Sequence, residues 1–269
     1  MTQFDCPAKA KEMGFDAVEF VELMPRKEET PEEYAKSLRK ECERVGIPVS
    51  SFTFSADFLT GSGGDLEREI QRVKEAVDLA QLLGAPLVRH DATRGGARSF
   101  DLELDRIARG CREVTEYAAS KGIRTTVGNH GMFCQDSDRV ERLFNAVNHP
   151  NSGLLVDMGN FLCADEDPAI AVSRVAPYAF YAHAKDFHKK SAQEPDPGEG
   201  FFRTRGGNYL RGAIIGHGVV PVKQCLSILR LAGYDGTIAI EFEGMEYPLD
   251  GIRIGLANLR RYIKEVEEQ

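Results

Sequence analysis

The stretch SGLLVDMGNFLCADEDPAIAVSRVAPYAFYAHAKDF, residues 152–187, decides the fold of this chain. Its first nine and last nine residues are apolar runs that predict buried strands, and the segment DPAIAVSRVA between them predicts a helix. Two such strands joined by a helix form a right-handed βαβ unit of a parallel sheet. Apolar residues on both faces of each run are typical of parallel strands that helices cover on both sides.

The same alternation of strand and helix extends along the rest of the chain. Five further apolar runs predict strands, at 17–23, 47–54, 86–92, 123–130 and 237–244. A doubly wound sheet would favour a glycine-rich phosphate turn, but the glycine-rich segment 61–64 does not match GxGxxG. We therefore expect an α/β fold of the TIM (β/α)8 type, in a single domain over residues 1–269.

The strand count falls one short of a complete barrel. The sequence predicts seven strands but eight helices, of which the first lies at 5–13, before any strand. We therefore expect the first strand of the barrel to be absent. Two explanations stay open: a start that has been cut or assigned late, or a barrel that is open between its last strand and the strand at 17–23.

Composition restricts the class of partner and the compartment. The chain has 269 residues and a formal net charge of −8, which argues against nucleic acid or an anionic membrane as the main partner. Six scattered cysteines without a CxxC pair are typical of reduced thiols. The sequence has no apolar run of the ~20 residues that span a bilayer and no signal peptide at its start, so a cytoplasmic protein is expected.

Three ionisable residues stand where buried strands normally exclude charge. Asp157, His183 and Glu241 each lie near the C-terminal end of an apolar run. A buried charge costs several kcal/mol unless it is paired or bound to a metal. Each residue alone would more often be a structural polar group, but three at matching positions predict a site for one divalent cation, Mn²⁺, Mg²⁺, Co²⁺ or Zn²⁺.

Strand parity predicts which other side chains share the face of these three. Side chains alternate along a strand, so residues two apart point the same way. The face that carries the acids and the histidine would also hold Leu155, Tyr181, Lys185, Ala239, Glu243, Thr126, Gly128 and His130. Small or polar residues fill most of these positions, which favours a substrate pocket. A polar layer filled by internal hydrogen bonds is the alternative.

The strings GLLVDMGN, HAKDFH and GYDGTIAIEFEG resemble the sugar phosphate isomerase/epimerase family of xylose isomerase-like barrels. That group includes ketose 3-epimerases, inosose dehydratases and, more distantly, endonuclease IV repair enzymes. The resemblance covers nearly the whole chain and implies one divalent metal ion held by a glutamate, an aspartate, a histidine and a C-terminal glutamate. Three of these ligands carry over, onto Asp157, His183 and Glu241.

The fourth ligand position departs from the family pattern. Where the family has Glu-Asn-His at the end of the central strand, this chain has Gly128-Asn129-His130. In the epimerases that glutamate both binds the metal and transfers a proton. Its absence predicts weaker metal binding and an impaired two-base epimerisation.

The chemistry that the resemblance implies is proton transfer next to a sugar carbonyl, with Glu241 as the proton-transfer group. Lys185 and His130 are candidates for polarising oxygens or shuttling protons, and His90 and Asn160 for binding the substrate. For each of these four, a supporting position behind or beside the substrate is the alternative.

A long loop rich in glycine and proline is predicted from about 189 to 218, and its segment FFRTRGGNYLRGAIIGHG contains the arginines Arg203, Arg205 and Arg211. Arg203 and Arg205 are candidates for binding a phosphate or carboxylate of the substrate, with a solvated loop as the alternative.

The leading hypothesis is a metal-dependent isomerase or epimerase of a sugar or sugar phosphate. A lyase of the inosose dehydratase type, which expels a β-hydroxyl after the same proton abstraction, is the second. A catalytically inactive barrel that binds a sugar or a partner is the third, and an endonuclease is disfavoured because the chain has only six histidines and no basic excess. The expected partner is a small-molecule sugar or sugar phosphate, not nucleic acid or membrane, with a homo-oligomer left open.

Overall fold

The structure of this chain is a computed structural model that describes residues 1–96 and 98–268. Seven parallel strands form its main sheet, in the order β1-β2-β3-β4-β5-β6-β10. A second sheet of three antiparallel strands has the order β7-β9-β8. The strands are β1 Val18–Val21, β2 Val49–Phe54, β3 Leu87–His90, β4 Arg124–Gly128, β5 Ser152–Asp157, β6 Ala179–Ala184, β7 Asp186–Lys190, β8 Phe202–Arg203, β9 Tyr209–Ala213 and β10 Ile238–Ile240.

Eight α-helices occupy the described part of the chain, and one of them precedes the first strand. They are α1 Cys6–Met13, α2 Pro31–Val45, α3 Leu66–Leu83, α4 Phe100–Ser120, α5 Ser137–Val147, α6 Pro168–Val175, α7 Val222–Leu231 and α8 Pro248–Glu267. Seven parallel strands and eight helices agree with the count from the sequence, including the helix that comes before any strand.

Local sequence signals set the ends of the helices. At the start of α2, the Thr30 hydroxyl accepts a hydrogen bond from the Glu33 backbone N–H at 3.2 Å, and the Glu33 carboxylate accepts from the Thr30 backbone N–H at 3.1 Å. This capping box satisfies two helix donors that would otherwise lack partners. Gly46 ends the same helix with a φ of 74°, a left-handed conformation that favours glycine.

The chain divides into two compact units. The first comprises Met1–Val127 and Leu143–Gly153, and the second comprises Gly128–Arg142 and Leu154–Gln269. The first unit buries the apolar face of α3, including Val73 and Val77, which are both fully buried. The second unit buries the strand residues Val156 and Ala182 together with Leu229 of α7.

The segment that the sequence indicated as a loop, from about 189 to 218, is more ordered than expected. Strands β7, β8 and β9 build an antiparallel sheet there, in which Lys189 pairs with Leu210 and Phe202 pairs with Leu210 from the other side. We call residues 186–213 the antiparallel insert. The glycine and proline residues of this segment indicate a loop. The strands DFHKK and YLRGA are also too short to be predicted alone, because only their pairing with each other stabilises them.

Of the helices in the described residues, none combines the length and the apolar character that crossing a bilayer requires.

Candidate active site and metal centre

The three predicted metal ligands come together in the second unit. One ligand atom from each of Asp157, His183 and Glu241 lies within 4.8 Å of the other two. His183 Nδ1 lies 2.8 Å from Glu241 Oε2 and 3.8 Å from Asp157 Oδ2. Ligand bonds to divalent cations are about 2.0–2.6 Å long, so three atoms at this spacing can surround one ion.

Parallel strand pairing places these side chains side by side. Asp157 pairs with His183 between β5 and β6, and His183 pairs with Ala239 between β6 and β10. Glu241 follows β10 directly, and its backbone N–H donates to the carbonyl of Ala184 at 3.1 Å. The C-terminal ends of three neighbouring strands therefore present their ionisable residues at one edge of the sheet, as the sequence predicted.

Asp157 is held on one carboxylate oxygen and left open on the other. Its Oδ1 accepts hydrogen bonds from the backbone N–H groups of Gly159 at 2.8 Å and Asn160 at 2.9 Å. Its Oδ2 is buried and has no hydrogen-bond partner. Burial raises the pKa of this carboxyl, against the opposing effect of the Lys185 charge. An unsatisfied buried oxygen costs about 1–3 kcal/mol, so its presence points to a ligand that completes the site.

Asn129 fixes the backbone that carries Asp157. Its side-chain amide donates to the Asp157 carbonyl at 2.9 Å and its side-chain oxygen accepts from the Asp157 N–H at 2.9 Å. The Asn129 side chain thus bonds both the N–H and the carbonyl of Asp157, the same two groups that a neighbouring strand would bond. Sequence reasoning named Asn129 only as part of the family motif and gave it no role, since a side chain that pairs with a backbone leaves no periodic signal.

Lys185 supplies the positive charge of the site. Its side chain is only 4% exposed, and its Nζ lies 3.3 Å from Glu241 Oε1 and 2.8 Å from Glu243 Oε2. Burial disfavours the ammonium form of Lys185, but the charges of Asp157, Glu241 and Glu243 outweigh it and raise its pKa. The group is therefore a cation that can donate hydrogen bonds to an oxyanion.

Glu241 is the most accessible of the three candidate ligands, with 36% of its side chain exposed. Burial disfavours its carboxylate form, but the charge of Lys185 and the hydrogen bond with His183 outweigh burial and hold the pKa of Glu241 well below its usual range. Glu241 is thus a carboxylate at neutral pH, as both a metal ligand and a general base must be.

The residues present fit a divalent cation. The cluster offers two carboxylates and one imidazole, a donor set that Mn²⁺, Mg²⁺, Co²⁺ and Zn²⁺ accept to different degrees. The unpartnered oxygen of Asp157 lies at this cluster. Three carboxyl groups, those of Asp157, Glu241 and Glu243, meet one amine, that of Lys185, so acidic groups outnumber basic ones at this position.

The glycine at the vacant family position ends a strand next to this cluster. Gly128 is the buried last residue of β4, and Asn129, which follows it, is the residue that bonds to the Asp157 backbone. His130 comes next and is exposed, with a bridge to Cys134. A catalytic role of His130 remains a prediction.

Asn160 is buried, and its main chain is already engaged. Its N–H donates to Asp157 Oδ1, and its carbonyl accepts from the Gln135 side chain at 2.9 Å. It therefore shapes the turn that holds Asp157, and a contact of its side chain with substrate remains a prediction.

The two candidate arginines bind partners within the protein. Arg203 is 60% exposed and donates to the Tyr209 hydroxyl at 2.8 Å, with its guanidinium over the Tyr209 ring. Arg205 pairs with Asp136 at 2.7 Å and also donates to the carbonyl of Met132. Arg205 therefore fastens the antiparallel insert to the segment after β4, and a role in binding substrate phosphate remains a prediction.

His90 lies in the first unit and is fully buried, with its ring against Phe54 and Phe58. In the pairing of β3 with β4 it lies opposite Val127, whereas the predicted polar face of β4 carries Thr126 and Gly128. Its neighbour Arg89 lies opposite Thr126 instead and pairs with Asp91 at 2.6 Å. The sequence carries no signal for Arg89, because only the folded sheet shows the register between β3 and β4.

Comparison with known proteins supports the same fold. A sequence model described as "Xylose isomerase-like TIM barrel" matches residues 7–262. An inosose dehydratase of Lacticaseibacillus casei is 26% identical over 144 residues, which are 53% of this chain and 48% of that protein, so the match spans about half the length of that relative. An inosose dehydratase of Glaesserella parasuis serovar 5 is 23% identical over 258 residues, covering 85% of this chain and 80% of the relative.

Solved structures show the same fold at low sequence identity. An L-ribulose 3-epimerase superimposes with a TM-score of 0.76 at 14% identity, covering 99% of this chain and 90% of the other. A xylose isomerase-like TIM barrel protein from Mycobacterium smegmatis, in complex with magnesium, gives a TM-score of 0.73 at 19% identity, covering 98% and 87%. The family match over residues 7–262, together with these folds, shows that this chain has the TIM-barrel fold and belongs to the xylose isomerase-like TIM barrel family.

Proposed function

We propose that this protein is a divalent-metal-dependent enzyme that moves a proton next to the carbonyl of a sugar or sugar phosphate, as an isomerase or epimerase. The observation that carries the proposal is the cluster of Asp157, His183 and Glu241 within 4.8 Å, with Lys185 3.3 Å from Glu241. A base, a cation and a metal-binding donor set at one position are what enolisation requires.

Each residue has a separate task in this proposal. Asp157, His183 and Glu241 would hold the metal ion, which when bound acidifies the proton next to a carbonyl. Glu241 takes that proton, because it is the most exposed carboxylate of the cluster. The Lys185 ammonium donates a hydrogen bond to the oxygen on which negative charge develops. Asn129 and the N–H groups of Gly159 and Asn160 keep Asp157 in place.

Gly128 favours reactions that need one base. An epimerisation with two bases requires a second carboxylate on the opposite face of the substrate, and Gly128 stands where the family has that carboxylate. A proton transfer within one face needs only Glu241 and a proton donor.

A lyase of the inosose dehydratase type is the second candidate, and the curated relatives favour it because they are named as inosose dehydratases. In that reaction Glu241 removes the proton, and Lys185 protonates the β-hydroxyl as it leaves as water. Dehydration needs one base and one acid, which Glu241 and Lys185 supply from neighbouring positions. The absence of a carboxylate at position 128 therefore affects dehydration less than it affects epimerisation.

One experiment separates these functions. The protein with Mn²⁺ is incubated in D₂O with a panel of ketoses, their phosphates and inososes, and the products are followed by mass spectrometry and NMR. Isomerisation or epimerisation incorporates deuterium and keeps the elements of water, whereas dehydration loses one water. No exchange with any substrate, together with tight binding of one of them, would support a sugar-binding protein and contradict both enzyme proposals.

The cytoplasm is the compartment that we propose, because all six cysteines are free and five are buried, as in proteins of reducing compartments.

A further inference from the structure

The side chain of Lys185 is packed along its length, and its ammonium group lies near more than one carboxylate. Its stem packs on the Gly159 backbone, where an added Cβ would lie 3.1 Å from the Lys185 Cβ and Cγ atoms. On another side, its Nζ lies 5.4 Å from the centre of the Phe187 ring. With 4% of the side chain exposed, the ammonium has little contact with water and depends on carboxylates for its stabilisation.

Two carboxylates share this ammonium, and only one of them belongs to the metal cluster. Nζ lies 3.3 Å from Glu241 Oε1 and 2.8 Å from Glu243 Oε2, and 51% of the Glu243 side chain is exposed. The backbone of Glu243 is fixed by the antiparallel insert, because Gly212 forms a bridge to Gly244 and an added Cβ at Gly212 would lie 2.1 Å from the Glu243 carbonyl oxygen. Glu243 is therefore held beside Lys185 by the fold itself.

We propose that Lys185 is an internal counter-cation that competes with the divalent ion for Glu241, and that Glu243 receives Lys185 when the ion binds. The pair Lys185–Glu243 then sets the metal affinity of a cluster that lacks the fourth family carboxylate. This inference rests on the proposed function in one respect only, the use of Asp157, His183 and Glu241 as metal ligands.

The buried ammonium of Lys185 needs a carboxylate partner whether or not the ion is bound. A divalent ion that takes Glu241 withdraws negative charge from Lys185, and an uncompensated buried charge costs several kcal/mol. Glu243 removes that cost, because its oxygen already lies 2.8 Å from Nζ and can retain the ammonium alone. Without Glu243, Lys185 would depend on Asp157 and Glu241, which are both candidate ligands of the ion, and would oppose metal entry. Without Lys185, the carboxylates would repel one another and bind a cation more tightly.

The test is the dissociation constant of Mn²⁺, measured by titration calorimetry and confirmed by electron paramagnetic resonance of free Mn²⁺. We expect Lys185→Met to bind Mn²⁺ about tenfold more tightly and Glu243→Gln about tenfold more weakly than the unchanged protein, since changes beside metal ligands shift affinity about 10–100-fold. The matched controls are Lys190→Met and Glu246→Gln, which remove the same charges at exposed positions and should change the affinity less than twofold.

If Lys185 has only a structural role, the Mn²⁺ affinity of Lys185→Met should change in the opposite direction. If Lys185 only positions Glu241, Lys185→Met weakens Mn²⁺ binding, and that result overturns the proposal. Glu243→Gln alters a half-exposed side chain and should fold in any case, so unchanged affinity in this variant also overturns it. Failure of the unchanged protein to bind Mn²⁺ would contradict the proposed function instead, which keeps the two outcomes distinct.

The metal-free melting temperature gives a second readout. We expect Lys185→Met to melt at a lower temperature than the unchanged protein without metal, and to recover more stability on addition of Mn²⁺, because the cation replaces the missing ammonium. Equal gains from Mn²⁺ in both proteins would contradict the competition between the two cations.

Discussion

His183 Nδ1 lies 2.8 Å from Glu241 Oε2, although the two residues are 58 positions apart in the chain. The contact joins the last residue but one of β6 to the residue that follows β10. Two parallel strands that are neighbours in the sheet thus bring an imidazole and a carboxylate into hydrogen-bond contact at their C-terminal ends. Asp157, on the other neighbour of β6, completes the cluster from the opposite side.

Replacement of Asp157 by asparagine should abolish metal binding and leave the fold intact. The amide oxygen can still accept from the N–H groups of Gly159 and Asn160, but the unpartnered Oδ2 becomes an NH₂ that cannot bind a cation. We expect Mn²⁺ affinity to fall at least 100-fold in calorimetry, with an unchanged circular dichroism spectrum. Asp250→Asn, at an exposed position, is the control, and equal Mn²⁺ binding by Asp157→Asn would exclude Asp157 as a ligand.

Replacement of Gly128 by glutamate should strengthen the metal site. Gly128 ends β4, and a carboxylate there restores the family pattern Glu-Asn-His. We expect at least tenfold tighter Mn²⁺ binding and higher turnover on the ketose panel, because a direct ligand matters at least as much as the groups behind it. Equal affinity and equal activity in the two proteins would show that position 128 is not the vacant ligand position.

Replacement of Arg205 by alanine tests whether this arginine binds substrate or fastens the antiparallel insert. Its guanidinium pairs with Asp136 and the Met132 carbonyl, so we expect faster hydrogen exchange over 202–208 and a global stability loss of about 1 kcal/mol or less. Arg203→Ala is the comparison. A selective rise in KM for phosphorylated sugars, with unchanged exchange, would instead favour the sequence-based role in phosphate binding.

Glu69, in the first unit, should make stability depend on acid pH. Its side chain is 2% exposed and accepts from Arg72, the Asp57 N–H and the Ser62 hydroxyl. Burial disfavours its ionisation, but these bonds outweigh burial and lower the pKa of Glu69. Because the pKa is lower in the folded state, the stabilisation is complete above the unfolded pKa of about 4.3 and is lost as pH falls through the folded value.

Glu69→Gln should therefore lower the free energy of unfolding by about 1–3 kcal/mol at pH 7 and flatten its decline below about pH 4.3. Urea unfolding at a series of pH values measures both effects. A variant whose unfolding free energy falls with acid as steeply as that of the unchanged protein would contradict the assignment to Glu69.

Much of the fold was predictable because its signals are local. The capping box of Thr30 and Glu33 and the glycine at 46 mark the ends of α2, and the apolar runs mark all seven parallel strands. The antiparallel insert was missed, since strands such as Phe202–Arg203 are too short to show a period and form only by pairing with Tyr209–Ala213.

The candidate cluster was predictable from strand ends, but its supporting residues were not. Asp157, His183 and Glu241 each lie near the C-terminal end of a predicted strand, which is visible in the sequence, and they form one cluster in the structure. The two bonds of Asn129 to the Asp157 backbone depend on three-dimensional proximity, which no periodicity encodes. His90 was a candidate for binding substrate, yet the register of β3 against β4 aligns Arg89, and not His90, with Thr126 of the polar face.

The most direct test that Asp157, His183 and Glu241 bind a divalent cation is the anomalous diffraction of Mn²⁺ in crystals soaked with the ion. If these three residues are the metal ligands, we expect one peak about 2.0–2.6 Å from Asp157 Oδ2, His183 Nδ1 and a Glu241 carboxylate oxygen. A protein without a peak at this cluster at millimolar Mn²⁺, or with a peak only at surface carboxylates, would contradict it.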